Sequence, residues 1–351
     1  MFKKQVSVHL IITCNLTQFS KLQLVFVTKG LTFNVSSMNS QLNFGLEPLV
    51  VGCWQIDDRS WKAIPEAQLE RAIDTYLALG IKGFDTADIY GRSEQVLGRL
   101  LKGRDTIVFT KAVFFSGVPT PNQIRSKIEN SLRTLQRDRL DCVQVHWHNP
   151  QLDFSSTFAL LNEWVEQGKI VKLGVTNFDT PMLEKALQMA PIATHQVQYS
   201  LIDRRVETSM QALCLKYNIG LLAYGPLAGG FLSDKFRGVK APQNAAAHAR
   251  SFYYSTMIRT HGGWTAVLDL LETLAQFAQK YEKTIAQVAL NWVAQQQGVA
   301  AVISGLTLDR QQIQHNVEAF TWNLESSDVQ QLSERSSMLF QQTGDVYSYE
   351  R

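Results

Sequence analysis

Four residues of four different kinds, Asp85, Tyr90, Lys111 and His146, each fall where an apolar run gives way to polar sequence. Asp85 and Tyr90 share the stretch GFDTADIYG (83–91), Lys111 closes VFTK, and His146 closes VQVH. A tyrosine with the ordinary pKa of about 10 is a weak proton donor at neutral pH. A neighbouring ammonium favours the phenolate, which lowers that pKa and makes the hydroxyl a better general acid. The ammonium is costly to desolvate alone, so a carboxylate such as Asp85 is needed to keep it charged and oriented. A histidine on the far side can hydrogen-bond a substrate carbonyl and fix its angle. The set suits protonation of a carbonyl oxygen while another group delivers hydride to the carbon. Singly, each residue has a plainer role: Asp85 as a helix cap, Tyr90 as half-buried packing, Lys111 as a strand-end charge, His146 as a satisfied core histidine. Four such coincidences at successive strand ends favour the chemical reading.

The surrounding elements must bring those strand ends to one mouth. Strand-like runs are LVVGCW (49–54), GFDTAD (83–88), TIVFTK (106–111), DCVQVH (141–146), VKLGVT (171–176), HQVQYS (195–200), IGLLAY (219–224) and AAVISG (300–305). Amphipathic segments of helical period follow most of them, and many end on glycine, as helix C-termini favour. Eight strand–helix units over roughly 300 residues predict an α/β fold, a single-domain (β/α)8 TIM barrel spanning 41–351. A doubly wound sheet would show a glycine-rich phosphate fingerprint after its first strand, and no G-x-G-x-x-G occurs. In such barrels chemistry sits where the strands end. That accounts for the crowding of carboxylates and phenol in GFDTADIYG.

Composition narrows the classes. The 351 residues are 45% hydrophobic, and the formal net charge of +3 argues for neither nucleic acid nor membrane as the main partner. No apolar run is long enough to span a bilayer. Cys14, Cys53, Cys142 and Cys214 are scattered without a C-x-x-C pair, which predicts reduced thiols in a cytosol-like, cytoplasmic setting. Residues 1–40 read as an N-terminal extension. No Asp or Glu occurs from Met1 to Leu46, so the stretch is disordered, upstream of a start at Met38, or an organellar transit peptide, although such peptides are usually richer in Arg.

These residues carry a family resemblance. GFDTADIYG followed by SEQVLGRLL, then VFTK, LDCVQVHW, GKIVKLGVTNF and LLAYGPLAGGFL, resembles the aldo-keto reductases from about Leu49 to Asn316. The resemblance implies Tyr90 as proton donor, tuned by Lys111 and Asp85, with His146 orienting the substrate and a reduced nicotinamide supplying hydride. It also implies cofactor contacts. Thr176, Asn177 and Gln196 would hold the carboxamide, and Tyr224 would stack on the nicotinamide. Gly225, Leu227 and Gly229 would wrap the pyrophosphate, and Gly305, Gln312 and Asn316 would reach the adenosine end. The family prior is NADP. Here, however, Thr307 and Gln312 stand where Lys or Arg is usual, Asp309 adds a negative charge, and Arg310 is the only cation in that segment. NAD is therefore the alternative, and weak discrimination between the two is expected.

Trp54, Trp147, Phe114 and Phe115 at strand ends predict an apolar mouth for a small-molecule carbonyl substrate. Ser233 to Gly263 has no clear periodicity and reads as a long loop over it, a candidate cofactor lid. The tail from Leu324 onward often sets specificity in the family. GRLLKGR (98–104) reads as a helix C-cap and not a phosphate loop, and His146 with His148 lacks a third ligand, so no metal is expected. Oligomeric state stays open. Two functional classes remain: a working NAD(P)H-dependent carbonyl reductase, or a cofactor-binding regulatory or scaffold member acting through a protein partner. The full tetrad favours the enzyme.

Overall fold

Runs rich in Val, Ile and Leu, buried on both faces, suit parallel strands covered by helices. They form eight of them: β3 (Leu49–Gly52), β4 (Gly83–Asp85), β5 (Ile107–Val113), β6 (Leu140–His146), β7 (Ile170–Thr176), β8 (Ile192–Gln198), β9 (Gly220–Tyr224) and β10 (Val299–Gly305). All neighbours are parallel, and β10 pairs with both β9 and β3, so the sheet closes on itself. The computed structural model describes residues 24–28, 31–35, 45–114, 117–146, 153–241, 249–339 and 344–345. Among the described residues, β1 (Leu24–Thr28) and β2 (Leu31–Val35) form a two-stranded antiparallel hairpin apart from the barrel sheet. The remaining calls on residues 1–40 lie outside the described residues.

Helices α1 (Glu66–Ala78), α2 (Ser93–Leu100), α3 (Pro121–Thr134), α4 (Ser155–Glu166), α5 (Thr180–Leu187) and α6 (Met210–Tyr217) follow successive strands. Then come α7 (Ala249–Thr260), α8 (Gly263–Tyr281) and α9 (Ile285–Ala294), and after β10, α10 (Arg310–Glu318) and α11 (Ser326–Ser337). Local chemistry starts several of them. Thr120 and Gln123 cap α3 reciprocally with Pro121 in its first turn, and Thr284 with Gln287 does the same for α9. Inside the barrel, Val50, Phe109, Cys142, Leu222, Ala301 and Ile303 form a small plug. The larger core lies between strands and helices.

One expectation needs correction. The stretch read as a long loop contains α7, a helix whose sequence shows no clear apolar stripe of helical period. The described part of the C-terminal tail packs on the connection after β8: Leu332 is fully buried, and Ser336 Oγ donates to the Leu201 carbonyl at 2.6 Å. Among the described residues, no helix is long and apolar enough to cross a membrane, and no group of three His, Cys, Asp or Glu is placed to hold a metal.

Candidate active site

Strand alternation places Phe109 and Lys111 of β5 toward the barrel interior. There the Lys111 side chain is wholly buried, and its Nζ donates to Asp85 Oδ1 at 2.8 Å, Asp85 Oδ2 at 2.6 Å and the Thr86 carbonyl at 2.8 Å. Asp85 ends β4 and also accepts from Gln196 Nε2 at 2.7 Å. Tyr90 sits in the turn that follows, with its N–H on the Ala87 carbonyl at 3.0 Å and its own carbonyl accepting from Ser93 at 2.9 Å. Its ring lies over the buried ammonium, 5.0 Å from Nζ to the centroid. His146, at the end of β6, is in register with Thr176, and Thr176 with Gln196, so three predicted residues stand side by side at one barrel level.

The electrostatics differ from expectation at Tyr90. Burial pushes its phenol well above the usual value, and Asp85, Tyr254, Tyr253 and Asp57 push the same way. The lowering expected from Lys111 does not win, because the cost of burying the phenolate is the largest contribution. Burial likewise raises the Asp85 carboxyl, opposed by Lys111 and Gln196. Burial, helped by Lys111, holds His146 well below the usual histidine range, so its imidazole is neutral near pH 7.

These groups meet at a cavity of about 630 Å³. Asp85, Tyr90, His146, Thr176, Asn177, Gln196, Tyr224, Gly225 and Gly305 line it, and so does Trp54. Lys111 lies beneath its floor. Phe114 does not reach it. Counting from Lys111, the pleat turns Phe114 to the helix side, where it packs on Phe154 with ring centroids 6.3 Å apart and beneath the Lys127 ammonium. Trp147 and Phe115 lie outside the described residues.

Several features suit a nicotinamide cofactor. The Thr176 hydroxyl is buried yet has no hydrogen-bond partner among the described residues, as a group kept for a ligand's amide would be. Asn177, at a left-handed φ of 56°, accepts from the Tyr224 hydroxyl at 3.2 Å and so fixes the plane of that ring. Gly225 and Gly229 also have left-handed φ, and a side chain at either would run into Tyr254. Leu227 and Gly229 follow in the same turn but do not line the cavity. Nor do Gln312 and Asn316 on α10, where Asp309 caps the helix by accepting from Gln312 N–H at 2.8 Å. The Gln312 side-chain carbonyl is itself engaged by Thr307 Oγ1 at 2.9 Å.

Sequence reasoning missed the far wall. Tyr253, Tyr254 and Met257 of α7 close the cavity opposite Tyr90, with Tyr253 edge-on to Trp54 at 6.1 Å between centroids. Gln55, Asp57 and Arg59, from the connection after β3, complete it. The D-D-R-S run was the only trace of that cluster in the sequence.

Residues 48–336 match the model of the Aldo/keto reductase family. The chain is 29% identical to an NADH-specific methylglyoxal reductase of Escherichia coli over 84% of its own length and 96% of the relative's. It is 27% identical to a chloroplastic pyridoxal reductase of Arabidopsis thaliana, covering 91% and 90% of the two chains. Among solved structures, a glycerol dehydrogenase of Gluconobacter oxydans superposes with a TM-score of 0.71 at 25% identity, over 84% of this chain and 92% of that one.

Proposed function

Because the chain belongs to the aldo/keto reductase family, we propose that it reduces a small aldehyde or ketone to the alcohol, with Tyr90 as general acid in a tetrad with Asp85, Lys111 and His146. The observation that carries this reading is the meeting of Tyr90, His146, Thr176, Asn177 and Tyr224 around one cavity, with the Lys111–Asp85 pair directly under Tyr90. When bound, a reduced nicotinamide supplies the hydride. This chain's residues do the rest. Tyr224, tethered by Asn177, offers a ring face for stacking, and Thr176 offers its hydroxyl to the carboxamide. Neutral His146 donates an N–H to the substrate carbonyl and fixes its direction. Tyr90 gives its proton to the carbonyl oxygen as charge grows there, and the buried ammonium below its ring stabilises the phenolate left behind. Trp54 and Tyr253 keep bulk water from the reacting atoms.

For the cofactor, we infer weak discrimination between NADPH and NADH. The start of α10 presents the Asp309 carboxylate and a mutually bonded Thr307–Gln312 pair, with Arg310 as its only cation. The NADH-specific relative in Escherichia coli supports use of NADH. The test is oxidation of NADH and NADPH with a panel running from 2-oxoaldehydes to aromatic aldehydes and sugars. Turnover of small carbonyls by both cofactors is expected. Tight cofactor binding with no turnover on any member would overturn the reductase reading.

A further inference from the structure

The Asp57–Arg59 pair lies in the connection between β3 and α1, outside the tetrad, yet it grips the segment that carries Tyr90. Arg59 Nε donates to Asp57 Oδ1 at 2.8 Å and Nη2 to Oδ2 at 3.3 Å. The same Nη2 donates to the carbonyl of Ile89, the residue before Tyr90. Asp57 is fixed in turn by Ser60 Oγ at 3.0 Å and by the Arg59 N–H at 3.2 Å. On the other side of Tyr90, the backbone of Gly91 comes so close that a Cβ there would lie 2.6 Å from Asp57 Oδ1. The two residues flanking Tyr90 therefore both rest on this one ion pair.

We propose that Arg59 is a positioning residue for the general acid: its guanidinium fastens the loop that carries Tyr90 and neutralises the Asp57 carboxylate beside it. The proposal rests on the reading of Tyr90 as the proton donor. Other charged or titratable groups facing the Tyr90 ring are Asp85 and Lys111 beneath it, His146 in the cavity wall, and Tyr253 and Tyr254 from α7. The counter-ion of Asp57 is Arg59 and can be removed without touching the tetrad, whereas that of Asp85 is Lys111. A bare Asp57 carboxylate disfavours the phenolate, whereas a bare Arg59 guanidinium favours it. Arg59 is well exposed, so solvent screens both effects.

The two halves of the pair should consequently shift the enzyme's pH dependence in opposite directions. In the alcohol-oxidation direction, where Tyr90 must accept a proton, Arg59→Met should move the rising limb of kcat alkaline by about half to one pH unit. Asp57→Asn should move it toward acid, and the double variant should return it close to wild type. With the Ile89 carbonyl released, Arg59→Met should lower kcat roughly tenfold with little change in KM, an orientation effect. Arg59→Lys keeps the charge without the fork, so it should keep the wild-type limb and recover kcat only in part. Thermal melting of each variant verifies the fold. Limbs that stay put, or that move in the same direction for Arg59→Met and Asp57→Asn, would overturn the proposal. Tyr90→Phe, run alongside, separates the two readings: near wild-type turnover in that variant would instead mean that Tyr90 is not the acid.

Discussion

The Lys111 ammonium stands 5.0 Å from the centre of the Tyr90 ring, with its three N–H donors directed to the two Asp85 oxygens and the Thr86 carbonyl. Its influence on Tyr90 is therefore that of a fixed charge beneath the ring and not that of a hydrogen-bond donor to the hydroxyl. Such a charge gains value as the phenolate forms, and it needs no rearrangement at that moment.

The same arrangement makes Lys111 and Asp85 a unit. Lys111→Met would leave the Asp85 carboxylate buried without its counter-ion, at a cost of roughly 3–5 kcal/mol. Denaturant unfolding should show that loss. Asp85→Asn combined with Lys111→Met should regain most of the stability while remaining a poor reductase. If the double variant were no more stable than Lys111→Met, the ion pair would not be the source of the loss.

A second expectation concerns acid. Burial presses the His195 imidazole down to about 3, and its Nε2 accepts the Phe178 N–H at 3.2 Å. Its folded pKa lies below the unfolded value of about 6.5, so the unfolded chain takes up the proton first. The stability it confers is fully present above about pH 6.5 and is lost as the pH falls toward about 3. Between pH 6.5 and 4.5 that amounts to about 2–3 kcal/mol, with His146 acting in the same direction. His195→Gln keeps an acceptor for the Phe178 N–H, and unfolding curves at the two pH values should differ less for it than for wild type. An unchanged difference would remove His195 from the explanation.

At the adenosine end, Gln312→Arg places a guanidinium on the first turn of α10. A charge-assisted contact to a 2′-phosphate contributes roughly 1.5–3 kcal/mol, so NADPH binding should tighten about tenfold or more. NADH binding should stay almost unchanged. Dissociation constants from fluorescence quenching give both numbers. A wild type with strong NADPH preference, indifferent to this substitution, would place the phosphate contacts elsewhere.

Gly229 offers a test of the α7 wall. Its φ of +69° is unfavourable for an L side chain, and an added Cβ would lie 2.3 Å from Tyr254 Cδ2. Gly229→Ala should lower stability by about 1–2 kcal/mol from backbone strain alone, with a further loss from displacing Tyr254. In a Tyr254→Ala background Gly229→Ala should cost only the backbone-strain part, a smaller loss in thermal melting than in the wild type; an equal loss in both backgrounds would remove Tyr254 from the explanation.

What the sequence revealed and what it hid follow from the range of the interactions. Asp85, Lys111 and His146 were readable because each ends or nearly ends a strand, and a barrel converts strand ends into neighbours. Phe114 shows the limit of that argument: proximity to a strand end does not say which face a residue takes, and the pleat counted from Lys111 sends it to the helix layer. The direction of the Tyr90 pKa was misjudged because burial sets it first and Asp85 second, with Tyr254, Tyr253 and Asp57 adding to it, and no local pattern reveals that burial. Helix α7 was hidden because its sequence shows no clear helical period. The grip of Arg59 on Ile89 joins residues 30 apart through one backbone carbonyl, and spacing carries no sign of such a contact.

The central claim is that the Tyr90 hydroxyl supplies the proton, and Tyr90→Phe tests it with a single atom removed. Single-turnover reduction of a carbonyl substrate, followed by loss of NADH or NADPH absorbance, should slow by roughly 10²- to 10⁴-fold. Cofactor dissociation constants and thermal melting should stay close to wild type, since the ring remains over Lys111. Single-turnover rates in Tyr90→Phe within a few-fold of wild type would contradict the account.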